Sequence, residues 1–221
     1  MSVMSNLTFE IPNSTRLPAL CVGIVVSAYW WRVMRMAYKM RQKTGRAANF
    51  VPAEPLGKFL RLLWQPVVWI WIALPFFNAL ILKPPQALQP IYFFPAIQWA
   101  AVVLAVLALA ATRICWKRMG KSWRMGIDPA ERTTLVVTGP YAYVRHPIYA
   151  LSSVLMVATV TAVPAPLMIA VAVVHLLLLQ WEARREERHL SAIHGPQYDR
   201  YCRRVGRFLP RTFRSTFTPA T

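Results

Sequence analysis

Five apolar blocks alternate with polar segments along the chain. Residues 17–34 carry a single charge, Arg32, near their end, and residues 62–82 and 91–112 carry none. Each approaches the roughly 20 residues a helix needs to cross about 30 Å of hydrocarbon. Residues 148–162 and 166–181 are equally uncharged but shorter, and Pro164 and Pro166 mark a tight turn between them. They predict a helical hairpin that tilts or only partly spans. Past residue 181 the pattern changes: Leu190, Ile193, Tyr198 and Tyr201 form an apolar side amid many charges, as on an amphipathic helix. Gly195 and Pro196 interrupt that stretch and predict two helices there rather than one.

Composition and charge refine this picture. Of 221 residues, 56% are hydrophobic, above the roughly 45–50% usual for soluble domains, and they are concentrated in the blocks. The net charge of +18 is compatible with nucleic-acid binding, but its distribution points to membrane topology. Of the 26 Lys and Arg, all but Arg16 and Lys83 fall from Arg32, near the end of the first block, to Arg61, between the third and fourth blocks, or after the fifth. With five spans those three segments share one side. The positive-inside rule then puts the N-terminus outside and the C-terminus in the cytoplasm, in a bacterial inner membrane. The expected architecture is therefore all-α and integral to the membrane, with about five transmembrane helices and a cytoplasmic C-terminal helical cap. Residues 1–114 would hold three helices and a basic loop, and residues 115–221 the functional core. The polar first fifteen residues lack a basic n-region, so the first span is expected to be its own insertion signal. Three scattered Cys, without a CxxC pair, offer neither a disulfide framework nor a zinc site, and no metal is expected.

The chemistry concentrates in residues 135–149, LVVTGPYAYVRHPIY. Gly139 and Pro140 suit a tight turn with positive φ or close backbone approach. Arg145 and His146 precede Pro147, which suits the first turn of a helix. The N-terminus of that helix offers unpaired N–H groups and partial positive charge, a setting for a carboxylate or another anionic group. Past the next apolar run stand Glu182, Glu186 and Glu187. On a helix Glu182 and Glu186 share a face while Glu187 points elsewhere, and one of these carboxylates, aimed back at the hairpin, would suit a ligand's ammonium or ribose hydroxyls. His175, inside the fifth block, is expected to be a neutral imidazole bonded to a helix carbonyl. Tyr29, Trp30, Trp31, Trp64, Trp69 and Trp71 read as interface belt and lipid contacts.

Taken in order, residues 120–128 (GKSWRMGID), 135–141, 145–149, Arg185 to Glu187, and His194 through Tyr198, Tyr201, Val205 and Pro210 resemble the isoprenylcysteine carboxyl methyltransferase family. The wider group includes phospholipid N-methyltransferases. The resemblance covers roughly residues 115–210. It implies S-adenosylmethionine bound on the cytoplasmic side, between the last two spans and the loops around them. Position by position, the implied cofactor residues are Gly126, Thr133, Thr134, Leu135, Val136, Tyr141, His146, Pro147, Ile148, Tyr149 and Glu186. A lipophilic acceptor would enter from the bilayer, with no nucleic acid involved. In one respect the chain departs from the pattern. Carboxyl-methylating members place an Arg one helical turn before the cofactor Glu, and here that position is Glu182, whose charge is unsuited to a substrate carboxylate. Arg145 and Arg185 become the candidates to orient an acceptor, and Glu182 or His146 to take its proton. An amine, thiol or neutral head group enters consideration beside the carboxylate. The nearest rival resemblance is to NADPH-dependent membrane reductases of the sterol-reductase kind, similar across residues 145–149. A non-catalytic membrane scaffold is the third reading.

Overall fold

A computed structural model describes residues 13–44, 55–81, 83–120, 123 and 134–211. Within them lie six α-helices: α1 (Asn13–Thr44), α2 (Pro55–Leu80), α3 (Pro95–Met119), α4 (Pro147–Ala162), α5 (Pro166–His194) and α6 (Pro196–Arg204). Every helix from α2 to α6 opens on a proline, whose missing N–H is one the first turn leaves unbonded anyway. Four helices, α1, α2, α3 and α5, are long and apolar enough to cross a membrane, and α4 is a shorter apolar helix.

Side-chain placement agrees with a lipid surround. Ile24, Leu62, Val103, Leu107 and Leu177 all point outward, fully apolar, where a water-soluble bundle would present charge. The interior is packed by small and aromatic residues. Ala105, Ala158 and Ala165 are wholly buried, and α3 lies closely along α4, more so than α5 does. At Gly23, α1 meets α2 so closely that an added Cβ would sit 3.1 Å from Pro75 Cβ and 3.2 Å from the Phe76 ring. Small residues at such crossings let helices approach in the absence of a hydrophobic drive. A Gly23→Leu change should therefore force α1 off α2 and cost about 1–3 kcal/mol. A lowered thermal midpoint in detergent would show it, and an unchanged midpoint would refute the close crossing.

Two sequence expectations are revised. The fifth block does not end at residue 181: α5 runs unbroken to His194, so Glu182, Glu186 and Glu187 are rigidly tied to the apolar helix. The break falls where expected, at Gly195, whose φ of 51° only glycine adopts readily, followed by Pro196 at the start of α6. The aromatic expectation divides. Trp31 and Trp69 are 62% and 67% exposed, in keeping with lipid contact, but Tyr29 and Trp30 are buried and Trp71 is completely so. Tyr29 stands 5.3 Å from the Trp116 ring and Trp30 6.1 Å from Trp71, an aromatic interior formed by α1, α2 and α3.

Candidate active site

The site is assembled where the loop before α4, the charged end of α5 and the segment after α6 meet. Residues 139–142 form a 3-10 turn, and Gly139 takes the expected positive φ, 64°. An Arg118 guanidinium from the end of α3 donates through Nε to the Thr138 hydroxyl at 2.9 Å and fixes the turn from one side. From the other side the Tyr201 hydroxyl of α6 donates to the Tyr141 carbonyl at 2.5 Å. The chain after α6 then runs beside residues 144–146. Val144 and Gly206 form a parallel bridge, the Arg145 N–H donates to the Gly206 carbonyl (2.8 Å) and the His146 N–H to the Arg207 carbonyl (3.0 Å). These backbone bonds set the direction in which Arg145 and His146 leave the loop.

His146 is buried at the N-cap of α4 and lies between two carboxylates: Nδ1 is 3.5 Å from Glu186 Oε2, and Nε2 3.2 Å from Glu187 Oε1. Its ring stacks on Tyr149, with centroids 5.3 Å apart and planes nearly parallel. Glu187 is the hub. It accepts from Arg145 Nε and Nη2 (3.0 and 2.9 Å) and from Arg207 Nε and Nη2 (3.0 and 2.6 Å). Arg145 Nη1 also donates to the Cys202 and Val205 carbonyls, which ties the loop to the end of α6. Glu186 is different in kind. Its side chain is 30% exposed against 13% for Glu187, and its partners are His146 and Tyr149.

These groups lie beyond the apolar part of α5 and outside α4, where water and counter-charge compete directly. Burial disfavours the imidazolium of His146, but hydrogen bonds and charge from Glu186 and Glu187 outweigh it and raise its pKa. Burial likewise opposes ionisation of Glu187, and hydrogen bonds from His146, Arg207 and Arg145 overcome it, holding that carboxyl well below the usual range. Stability linked to His146 is then fully present below pH 6.5 and is lost as pH rises through the raised value. That linked to Glu187 is present above about pH 4.5 and is lost as pH falls through the depressed one. A thermal midpoint measured from pH 4 to 9 should fall on the alkaline side, and a His146→Asn variant should flatten that limb. An alkaline limb identical in both proteins would contradict the pairing.

The predicted site residues are sorted by this geometry. His146, Pro147, Ile148, Tyr149 and Glu186 are brought together at the start of α4, and Tyr141 is buried in the turn before it. Leu135 packs in a separate small core with Val137, Tyr198, Tyr201 and Val205, while Thr134 is exposed and Val136 half-buried on the same extended segment. Gly126 and Thr133 lie outside the described residues. Arg145 is committed to Glu187. Arg185 and Glu182, both buried, form an ion pair at 3.4 Å one turn deeper on α5. Glu187 does not point away, contrary to expectation: both carboxylates converge on His146, because α4 begins between their two faces of α5. His175 also differs. Its Nε2 lies 3.2 Å from the Ser152 hydroxyl, not against a helix carbonyl, and its ring is 4.8 Å from Trp71.

Two arginines escaped the sequence reading. Arg207 completes the Glu187 cluster, and its only signal was a position after the Val205 motif residue. Arg61 of α2 reaches a cavity beneath the site and interacts electrostatically with Glu182, Tyr149 and Arg185. Nothing in the local sequence of α2 pointed there. Among the described residues, no three His, Cys, Asp or Glu side chains gather as a metal ion would require.

Comparison with known proteins falls on the same segment. The model of the isoprenylcysteine carboxyl methyltransferase family matches residues 101–192, which include α4, the loop before it and the charged end of α5. The chain is 31% identical over 117 residues to the nickel-cobalt-cadmium resistance protein NccN of Alcaligenes xylosoxydans, covering 52% of this chain and 55% of that protein. It is 30% identical over 119 residues to the cobalt-zinc-cadmium resistance protein CzcN of Cupriavidus metallidurans, covering 51% and 52%. A shorter stretch of 74 residues is 40% identical to the low affinity potassium transport system protein Kup of Pectobacterium atrosepticum, 32% of this chain and 12% of that one. The chain spans about half the length of NccN and CzcN.

Proposed function

We propose, with the match of residues 101–192 to the isoprenylcysteine carboxyl methyltransferase family as premise, that this protein is an integral membrane methyltransferase. It would use S-adenosylmethionine and act on a lipophilic acceptor. The observation that carries the reading is His146, held at the N-terminus of α4 between Glu186 and Glu187 inside the matched segment.

The donor set suits the cofactor. Glu186 retains exposure and an acceptor oxygen for ribose hydroxyls or the ammonium group. The first-turn N–H groups of α4, with the His146 imidazolium, suit its carboxylate. Among the described residues the buried Tyr141 hydroxyl has no hydrogen-bond partner, and burial keeps that phenol neutral, as a donor, at any ordinary pH. Leu135, Val136 and Thr134 form the extended segment leading to that turn, and Gly126 and Thr133 are assigned to the same role by resemblance. When bound, S-adenosylmethionine supplies an electrophilic methyl group: the acceptor's lone pair bonds to carbon as the carbon–sulfur bond breaks and its electron pair remains on sulfur. The chain's contribution is mainly alignment, for which effective molarities reach about 10⁵ M or more. An ionised acceptor needs no base, and a protonated one would pass its proton to Glu182. No metal has a part in this reading.

In the membrane, α1, α2, α3 and the apolar part of α5 would span, and α4, at 16 residues, would cover about 24 Å and reach only part-way across. We read α4 and α5 as a hairpin, with residues 115–221 as the catalytic half. The Lys and Arg distribution supports a cytoplasmic site and cap. An NADPH-dependent reductase gains nothing from the family match. Purified protein should transfer tritiated methyl from S-adenosylmethionine into the organic phase of a bacterial lipid extract. Absence of label with folded protein that binds S-adenosylhomocysteine would exclude an acceptor among those lipids.

A further inference from the structure

The charged end of α5 has a second face that the cofactor reading does not use. Successive residues of a helix lie about 100° apart, so Arg184, Glu187, Arg188 and Ser191 share one side of α5, and Glu182 and Glu186 take the opposite side. On the first of these sides, between α5 and α6, is an outward-opening recess of about 350 Å³. Arg207, from the segment after α6, also borders it. Among the described residues around His146, only Glu187 and Arg207 reach it, so it stands apart from the Glu186 side of the site.

Its donors come from separate elements. With its amide oriented to satisfy both neighbours, the Gln180 oxygen accepts from Arg207 Nη1 at 3.2 Å and from Arg184 Nη2 at 3.3 Å, so these two guanidiniums converge on a neutral group. Arg188 follows Arg184 by one helical turn. Arg184 and Arg188 are both exposed, and neither pairs with a carboxylate among the described residues. The carboxylates bordering the recess are engaged: Glu187 accepts from Arg145 and Arg207, and Asp199 from the Ser191 hydroxyl at 2.9 Å. The Tyr198 hydroxyl adds a buried donor beside the Cys202 thiol, a weak partner.

Depth and size narrow the ligand. Arg184 and Arg188 stand about 5 and 10 Å beyond Trp181 along the helix axis. The layer between hydrocarbon and water is about 5–7 Å thick, so where the apolar part of α5 spans, Arg184 lies at the level of lipid phosphates. The recess holds the volume of roughly ten waters, enough for a phosphate and the carbons that carry it, with acyl chains left in the bilayer. Guanidiniums suit phosphate oxygens in paired, charge-assisted bonds. A monoester presents three unesterified oxygens to the three guanidiniums, and a diester only two.

We infer that this recess is a binding site for a terminal phosphate, held by Arg184, Arg188 and Arg207 on the face of α5 turned away from Glu186. Such a group comes either on a lipid or from solution, and the depth of Arg184 favours the lipid. The inference does not rest on the methyltransferase reading.

The test is calorimetry on the full chain in uncharged detergent and phosphate-free buffer. Hexyl phosphate, hexylphosphocholine and hexanoate share a six-carbon tail and differ in head, and inorganic phosphate has no tail. Hexyl phosphate should bind at least about tenfold more tightly than the diester or the carboxylate, the scale of one charge-assisted hydrogen bond. An Arg184→Gln/Arg188→Gln variant should keep its ligand-free thermal midpoint and lose that affinity by about tenfold or more. Arg200→Gln/Arg203→Gln, which removes as much charge from exposed positions of α6 outside the recess, should not. Weaker binding of inorganic phosphate would support a lipid source, and equal binding a soluble one, the terminal-phosphate site standing in both cases. Absence of hexyl phosphate binding, equal binding of the three heads, or equal loss in the two double variants would overturn the inference. The wild-type comparison stands even if a variant misfolds.

Discussion

Glu187→Ala should be the most destabilising single change in the charged cluster where α4 begins, costing about 3–5 kcal/mol. The carboxylate it removes accepts four hydrogen bonds from Arg145 and Arg207 and lies 3.2 Å from His146 Nε2. Without it two guanidiniums and an imidazole crowd one another at a site where Arg145 is held by the Cys202 and Val205 carbonyls and cannot turn away. For a chain of this size the cost corresponds to about 6–20 °C in the thermal midpoint. Arg207→Ala should cost less, since Arg207 is the more exposed partner, and the double variant less than the sum of the two. A midpoint within a degree or two of wild type in Glu187→Ala would show that the cluster does not hold α6 and the segment after it in place.

Glu186→Gln should behave in the opposite way. Its neighbour carries the structural pairs, so the protein should fold with little change in midpoint, yet its affinity for S-adenosylhomocysteine should fall by about 10- to 100-fold, the scale of one charge-assisted hydrogen bond. Glutamine keeps the length and one acceptor oxygen and removes the charge that meets His146 and Tyr149. Calorimetry on the two variants side by side separates stability from binding. A Glu186→Gln protein with wild-type affinity would remove Glu186 from the cofactor site.

The contrast between adjacent glutamates also shows what the sequence made legible. Helix periodicity placed Glu186 and Glu182 on one face of α5, and the family resemblance named His146 and Glu186 together as cofactor residues. What periodicity could not supply was the angle at which α4 begins against α5. That angle lets His146 touch both Glu186 and Glu187, although they lie about 100° apart around the helix. The helices were readable from uncharged runs, and the break at Gly195 from its chemistry. The continuity of α5 past Trp181 was not, because a change from apolar to charged residues resembles a boundary even when the backbone helix is unbroken. Trp30 and Trp71 were assigned to lipid for a similar reason. In a membrane protein both the outer and inner faces are apolar, so hydropathy alone cannot say which Trp faces inward. Arg61 and Arg207 come from segments distant in sequence, and their contributions depend wholly on tertiary packing.

Arg145 and Arg185 illustrate the same limit from the other side. Each was a reasonable candidate to orient an acceptor, being basic and next to the motif. The packing binds Arg145 to Glu187 and pairs Arg185 with Glu182, so neither basic side chain stands apart from a carboxylate as the motif order suggested.

The central claim is that the site at the start of α4 binds S-adenosylmethionine, and calorimetry on purified wild-type protein tests it most directly. S-adenosylhomocysteine should bind with a dissociation constant in the micromolar range, about −8 kcal/mol, while NADPH should give no heat at the same concentrations. Saturable NADPH binding with no response to S-adenosylhomocysteine would contradict the account.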